Sequence, residues 1–449
     1  MLVHFTVENY KSFDKREELS LLSSSKIQTN KSHRVKIKQT SILKNAVVYG
    51  ANASGKSNLV KAIGFMKSTL MEGLPINCAN DFCRNSLGNQ NRESAFELRF
   101  TVDDKFYAYG FSCILSKRII TEEWLYELMQ DDTAHNLFIR EKDKAPVLGD
   151  IRLSVSEKNR FSVYADDFIG HDTSLFLTEM NRGKKYDENS KLLFFKKTFD
   201  WIMNHVVVIN PSIGISNSDV YYDNESLNTI SELIKTFDTG VSEIKTRQIS
   251  IDEMSQMVPK EILSDILGSL KKQMQMTGLS QLKVTFRIDD GFFNIRIIDG
   301  NDPEITTLVL KHNKSMFDFS FNEESDGTKR LFDLIDMLMS KEKDVLFVVD
   351  ELERSLHPKL TEHFLKLFMQ AHKDDRVQLI FTTHEDTIMD QELFRRDEIW
   401  FVERDKENAS NIYSLDRFKE RYDKKLSKAY LDGRYGAIPV FKQFSFDKE

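Results

Sequence analysis

The chain reads as an α/β protein: a largely parallel sheet with helices, an antiparallel β subdomain and a mostly helical insertion. Three observations predict this. Short apolar runs without alternation, 46–49 (Ala-Val-Val-Tyr), 345–349 (Val-Leu-Phe-Val-Val) and 377–382 (Val-Gln-Leu-Ile-Phe-Thr), are what strands buried on both faces look like. The first run leads through a glycine-containing loop into helical spacing at Leu59, Ile63, Met66 and Leu70, and a second helix is expected from Pro358. Between about 95 and 165 the apolar period falls towards two, as at Phe96, Leu98 and Phe100, so several antiparallel strands are expected there.

The remaining elements follow in order. Leu2 to Val7 alternates like a strand, and Leu19 to Leu22 suggests another. Ser23 to Thr40 is rich in Ser and Lys and reads as a loop. From about 186 to 280 the period is helical, with Phe194, Phe195, Phe199, Trp201 and Ile202, then Leu227, Ile230, Leu233 and Ile234. Heptads do not persist, so no long coiled coil is expected. Strands resume from Leu282 to Ile298, and a helix follows Gly327. The expected organisation is three parts: 1–185 and 281–449 as the two halves of one sheet domain, with 186–280 as the helical insertion. In such a sheet the chemistry sits at the carboxyl ends of the strands.

Composition narrows the class. A chain of 449 residues with 33 Phe and only 7 Pro can bury a large core, which argues against disorder. Mean hydropathy is −0.42, and no run of about 18 uncharged apolar residues that could span a bilayer is apparent. With 63 basic and 70 acidic residues the net charge is −7, so any nucleic-acid contact must come from a local patch. The three cysteines, Cys78, Cys83 and Cys113, are too few for a disulfide framework and lack the pairing of a zinc site. The N-terminus shows no apolar core of a signal peptide, and a cytoplasmic protein is expected.

Gly50-Ala51-Asn52-Ala53-Ser54-Gly55-Lys56-Ser57 fits G-x-x-x-x-G-K-[ST] between a buried strand and a helix. Gly50 and Gly55 let the backbone curl so that successive N–H groups face phosphates, and the helix N-terminus adds its partial positive charge. Lys56 suits the β- and γ-phosphates of ATP, and the Ser57 hydroxyl suits Mg²⁺. The run 345–349 ends in Asp350 and Glu351. Asp350 offers the oxygen ligand that a hard cation prefers, and Glu351 is placed to polarise an attacking water. His384, just past the next strand, can touch the γ-phosphate or that water. Finally, Ser325, Asp326 and Gly327 open a helix whose hydroxyl and N–H groups suit an anion. They lie so close before Asp350 that their target is expected in another subunit.

Together these motifs resemble the ABC-type ATPase head of the Rad50, SMC, RecF and OLD proteins. The resemblance implies paired heads, in which Ser325, Asp326 and Gly327 act in trans on the ATP of the other copy. Ser355-Leu356-His357-Pro358 is similar to the family's D-loop region, His384 to its switch histidine, and Asn58 after the loop is typical. Asn9-Tyr10-Lys11-Ser12-Phe13 resembles an N-terminal motif whose basic residue, here Lys11, approaches the nucleotide. The likeness is closer still to the bacterial AAA15 or AAA21 (OLD-like) group, through 120–126, 396–403 and the tail Tyr430 to Pro439. It implies an ATPase that senses a trigger, DNA or a phage protein. It also implies control of an effector encoded nearby, such as a Toprim-type nuclease, in anti-phage defence by abortive infection. The signature ESDGT departs from LSGGQ, and Gln90 is a candidate Q-loop residue by position alone.

Other classes are weaker. Glu403-Arg404-Asp405 resembles the opening of a Toprim nuclease, but the residues after it lack the converging carboxylates that metal-assisted cleavage needs. The insertion and the signature count against a transporter subunit. A DNA-repair ATPase of the RecF or Rad50 kind, binding DNA directly, is the alternative. Its basic clusters would be Arg182 to Lys185, Lys196-Lys197, Lys271-Lys272 and Lys424-Lys425, each of which reads first as a solvated face.

Overall fold

The computed structural model describes residues 1–131, 133–210, 224–277, 279–288, 291–299, 301–418 and 425–439. Its contacts divide the chain into two compact units. The first comprises Met1–Asn210, Glu342–Glu353 and His372–Glu449; the second comprises Pro211–Lys341 and Arg354–Ala371.

In the first unit β1 (Leu2–Glu8) pairs antiparallel with β2 (Glu17–Ser20). The polar segment expected as loop folds in its second half into a ribbon of β3 (Arg34–Ile37) and β4 (Thr40–Leu43), turned at Lys38 with φ 52°. Arg34-Val35-Lys36-Ile37 alternates, so one side of this ribbon can pack while the other stays wet. β5 (Asn45–Tyr49) is buried throughout and enters α1 (Lys56–Glu72), which buries Leu59, Ile63, Met66 and Leu70 as their spacing requires. Five antiparallel strands follow: β6 (Ser94–Val102), β7 (Lys105–Ile114), β8 (Ile119–Leu128), β9 (Ala134–Glu141) and β10 (Val147–Leu148). Their sheet has the order β10-β9-β8-β7-β6-β1-β2.

The β region ends earlier than its period suggested, because α2 (Val155–Asp167) is a helix. Ser154 and Glu157 form a capping box at its start, and Phe161 and Ala165, one turn apart, are buried. α3 (Phe176–Asn181) and α4 (Leu193–His205) complete this layer, with Phe100 stacked on Trp201 at 4.4 Å. β11 (Val206–Ile209) follows directly. The stretch 186–280 therefore contains strands as well as helices; Val206-Val207-Val208-Ile209 is β-branched throughout and joins the parallel sheet.

The second unit holds α5 (Asn224–Lys235), β12 (Val241–Ile249), α6 (Ile251–Met257) and α7 (Lys260–Thr277). It continues with β13 (Gln281–Ile288), β14 (Gly291–Ile298), β15 (Glu304–His312) and β16 (Phe319–Ser320), then α8 (Asp326–Leu338) and α9 (Pro358–Ala371). The sheet runs β12-β15-β14-β13, with β16 on β15, all antiparallel.

The chain returns to the first unit with β17 (Leu346–Val349), β18 (Gln378–Thr382), β19 (Ile399–Arg404), β20 (Ser410–Ser414) and α10 (Leu426–Leu431). The second sheet of this unit has the order β11-β17-β18-β5-β19-β20, parallel except for β20. Gln378 ties the two sheets together. Its side chain is 0% exposed, accepts from Leu2 N at 2.5 Å and donates to Leu2 O at 2.9 Å and Leu43 O at 2.8 Å. Replacing it by the similarly sized Leu strips these backbone groups of their partner. Gln378→Leu is expected to lower unfolding free energy by about 2–4 kcal/mol, read from urea denaturation.

Candidate functional site

The loop between β5 and α1 is shaped by close approaches. A Cβ on Gly50 would run into Val402 O and the Ser54 hydroxyl, and Gly55 has φ 116° with the Ser12 hydroxyl 2.7 Å from where its Cβ would lie. Ala53 is also left-handed, at φ 60°. The N-terminus of α1 carries no side-chain cap, which suits an anion site at a helix start. Asn52 is exposed and Ser57 half-buried, whereas Ser54 is buried with its hydroxyl unpartnered among the described residues. Lys56 folds back over the loop and donates to Gly50 O at 2.7 Å and Ala51 O at 3.1 Å. Burial pulls its ammonium down to about 8, against the upward pull of Glu353, Asp350 and Glu351. A polyphosphate brought to this loop adds negative charge and so favours the protonated lysine.

Distant residues brace the loop. Asn58 donates to the Ser12 hydroxyl at 2.8 Å, Ser410 N donates to Ser12 O at 2.7 Å, and the Ser410 hydroxyl donates to Ser54 O at 2.5 Å. Asn9 donates to Asn89 O and Arg92 O and accepts from Cys83 N. Lys11, expected near nucleotide, is ion-paired to Asp81 at 2.7 Å. Within this N-terminal motif it is Ser12 that reaches the phosphate loop, a role the sequence reading missed because a serine carries no local signal.

The acidic strand end lies on neighbouring strands. β18 sits between β17 and β5, and all three run parallel, so Asp350, His384 and Gly50 emerge at the same edge. Asp350 is 4% exposed and Glu351 half-buried. The Thr382 hydroxyl donates to Asp350 Oδ1 at 2.7 Å and accepts from Glu351 N at 2.8 Å. Glu351 has φ 50°, a conformation that costs a non-glycine residue energy and persists only where the surroundings hold it. His384 is exposed; desolvation first, then the Lys56 ammonium, hold its imidazole below the ordinary value, while Glu353, Glu351 and Asp350 oppose the shift. It is therefore mainly neutral at pH 7.

Ser325, Asp326 and Gly327 lie in the second unit. Ser325 caps α8, its hydroxyl accepting from Thr328 N at 3.1 Å, and both Ser325 and Asp326 are exposed. Gly327 packs on the turn at Ser355, whose carbonyl lies 2.8 Å from where a Cβ would sit. Gln90 is exposed in a short 3₁₀ turn of the first unit. Glu403 accepts from the Tyr413 hydroxyl, and Asp405 organises the β19–β20 turn by accepting from Glu407 N and Ala409 N. Both acids thus have structural partners. Among the basic clusters Lys184, Lys196 and Lys197 are ion-paired to Glu179, Asp200 and Asp103, and Lys271 and Lys272 are exposed. Lys424 lies outside the described residues. Cys78, Cys83 and Cys113 are free and buried, and no described helix is long and apolar enough to cross a membrane.

A phosphate-cradling loop at the edge of a parallel sheet, with carboxylates at a nearby strand end, defines a P-loop nucleotide-binding domain. Residues 46–390 match the AAA_21 family model, "AAA domain, putative AbiEii toxin, Type IV TA system"; the chain belongs to this ATPase family. No curated protein matches the chain. Similar solved structures include an SMC head domain from Thermotoga maritima, at 13% identity, covering 92% of this chain and 98% of that one with a TM-score of 0.36. An SMC head bound to the C-winged helix domain of ScpA is 14% identical, covering 92% and 97%, with a TM-score of 0.35. An SMC head with an extended coiled coil, bound to the C-terminal domain of ScpA derived from Pyrococcus furiosus, is 14% identical, covering 93% and 97%, with a TM-score of 0.33.

Thr382 offers the direct check on the strand-end geometry. Thr382→Val keeps the shape but removes the hydroxyl's bonds to the Asp350 carboxylate and the Glu351 amide. It is expected to cost about 1–3 kcal/mol of stability and to lower ATP turnover, whereas Thr382→Ser retains both; a denaturation series and a phosphate-release assay read the two effects.

Proposed function

We propose that the chain is an ATP-hydrolysing switch, in which ATP joins two copies, hydrolysis releases them, and the change controls a partner effector in bacterial anti-phage defence. The observation that carries the reading is the convergence of the phosphate loop, Asp350, Glu351 and His384 on three adjacent parallel strand ends. Gly50, Asn52, Ser54, Gly55, Lys56, Ser57 and Asn58 form the phosphate cradle and its support. The Ser57 hydroxyl and the Asp350 carboxylate fit Mg²⁺, since both present hard oxygen donors and Asp350 is held by Thr382 on one oxygen. When bound, that ion neutralises charge on the β- and γ-phosphates.

Glu351 orients the attacking water and accepts its proton, and neutral His384 hydrogen-bonds the γ-phosphate side of the reaction. Lys56 exchanges its bonds to Gly50 O and Ala51 O for phosphate oxygens. Ser325, Asp326 and Gly327 of one copy close over the nucleotide of the other; the exposure of Ser325 and Asp326 at the start of α8 supports this role. Contacts made only in the closed pair then provide the differential affinity that a switch needs. The defence setting leans on the family's description, which names a toxin and a toxin–antitoxin system; the effector, a nuclease encoded nearby, follows from the resemblance of the sequence motifs alone.

The test is light scattering of wild type and Glu351→Gln, with and without ATP-Mg²⁺ and with the neighbouring gene product. Glu351→Gln is expected to bind ATP, lose about a hundredfold or more in turnover, and accumulate as an ATP-dependent larger assembly that holds the neighbour. Chelating the metal disperses it. If ATP leaves the mass unchanged and the protein alone degrades DNA, the reading is wrong.

A further inference from the structure

The site contains a third carboxylate that the hydrolytic scheme leaves without a task. Glu353 is half-buried, and its Oε1 accepts a hydrogen bond from the backbone N–H of His384 at 2.6 Å. Its Oε2 is buried and has no hydrogen-bond partner among the described residues. A buried carboxylate oxygen with unused acceptor capacity is unfavourable and calls for a compensating positive field or a function. The positive group is at hand, because Glu353 exerts the largest pull of any carboxylate on Lys56 and also acts on His384.

The bond to His384 belongs to a set. After β17 the chain turns at Glu351 and donates successively from Glu351 N to the Thr382 hydroxyl at 2.8 Å and from Leu352 N to Thr382 O at 3.1 Å. The Glu353 side chain then crosses to the amide two residues beyond Thr382. Leu352, fully buried, anchors the turn between these bonds. The first two contacts fix the end of β18; only the third reaches the residue that bears the imidazole. It is also the charge-assisted one, and so the strongest of the set.

We propose that Glu353 is a positioning residue for hydrolysis: it fastens the main chain of His384 to the turn bearing Asp350 and Glu351, so the water-activating and phosphate-sensing groups are presented as one rigid unit. This rests on the ATPase reading above. Reactive groups held on two separate turns lose alignment when the turns move independently, and small misplacements are costly to rate while leaving nucleotide affinity alone.

Three substitutions in the full chain separate reach from charge. Glu353→Gln keeps the carbonyl oxygen that accepts from His384 N; Glu353→Asp keeps the charge but is one methylene too short; Glu353→Ala removes both. Glu353→Ala and Glu353→Asp are expected to lower kcat by about 10–100-fold with KM for ATP changed by less than about twofold, and Glu353→Gln to recover most of the rate. Hydrogen exchange at the His384 amide should be slow in wild type and Glu353→Gln, and at least about tenfold faster in the other two. Wild-type rates in Glu353→Ala, or Glu353→Asp outperforming Glu353→Gln, overturn the proposal, as does an unprotected His384 amide in wild type. Those results leave the ATPase reading standing so long as Glu351→Gln abolishes turnover. Absence of turnover in wild type sinks that reading and the proposal together.

Discussion

Two carboxylates on consecutive residues of a strand point to opposite faces of the sheet, and like charges placed side by side repel. β17 ends at Val349, and for Asp350 and Glu351 to serve one site the backbone must then leave the extended region. It does so at Glu351, φ 50°, and the Thr382 hydroxyl holds both sides of the break by donating to the Asp350 carboxylate and accepting from the Glu351 amide. One buried oxygen on the neighbouring strand thus converts a strand end into a pair of usable acids. Around that pair lie Lys56, bonded to its own loop, and the His384 turn, tied back through Glu353.

The same short strand works at both ends. β18 has five residues, all buried; Gln378 at its start joins the parallel sheet to β1 of the antiparallel one, and Thr382 at its end organises the site. A central strand with both faces covered has no solvent to satisfy stray polar groups, so each must find a protein partner or destabilise the fold. The phosphate loop is braced in the same manner from afar, by Ser12 of the N-terminal motif and Ser410 of the last strand. The tail from Tyr430 finds a packing role here. Tyr430 lies 5.9 Å from the ring of Tyr49, the residue just before Gly50, and both Tyr430 and Tyr435 stack on Phe401.

Much of the architecture was legible in the chain. The unalternating apolar runs became β5, β17 and β18, and the helical spacing after the loop became the buried face of α1. Readings slipped where a local device outweighed the general period. The capping box at Ser154 and Glu157 started a helix inside a region read as β. Alternation of only four residues sufficed for the ribbon at Arg34–Ile37 because it is closed by a two-residue turn. The β-branched run Val206 to Ile209 left its helical surroundings to pair with β17, where burial on both faces rewards it.

By itself the sequence determined whatever depends on neighbours within a turn or a strand: the glycines that let residues 50–55 curl, the lysine and serine opening α1, the adjacent acids after β17, and the cap at Ser325. Tertiary structure alone decided which hydroxyls and carboxylates hold these parts in place. Thr382 meets Glu351 across 31 residues of chain, Glu353 meets His384 across 31, and Ser410 meets Ser54 across 356. A threonine ending an apolar run, or a glutamate after an acidic pair, looks the same in the chain whether it serves a site or merely faces water. The difference arises only when folding removes the water and obliges each polar atom to choose a partner.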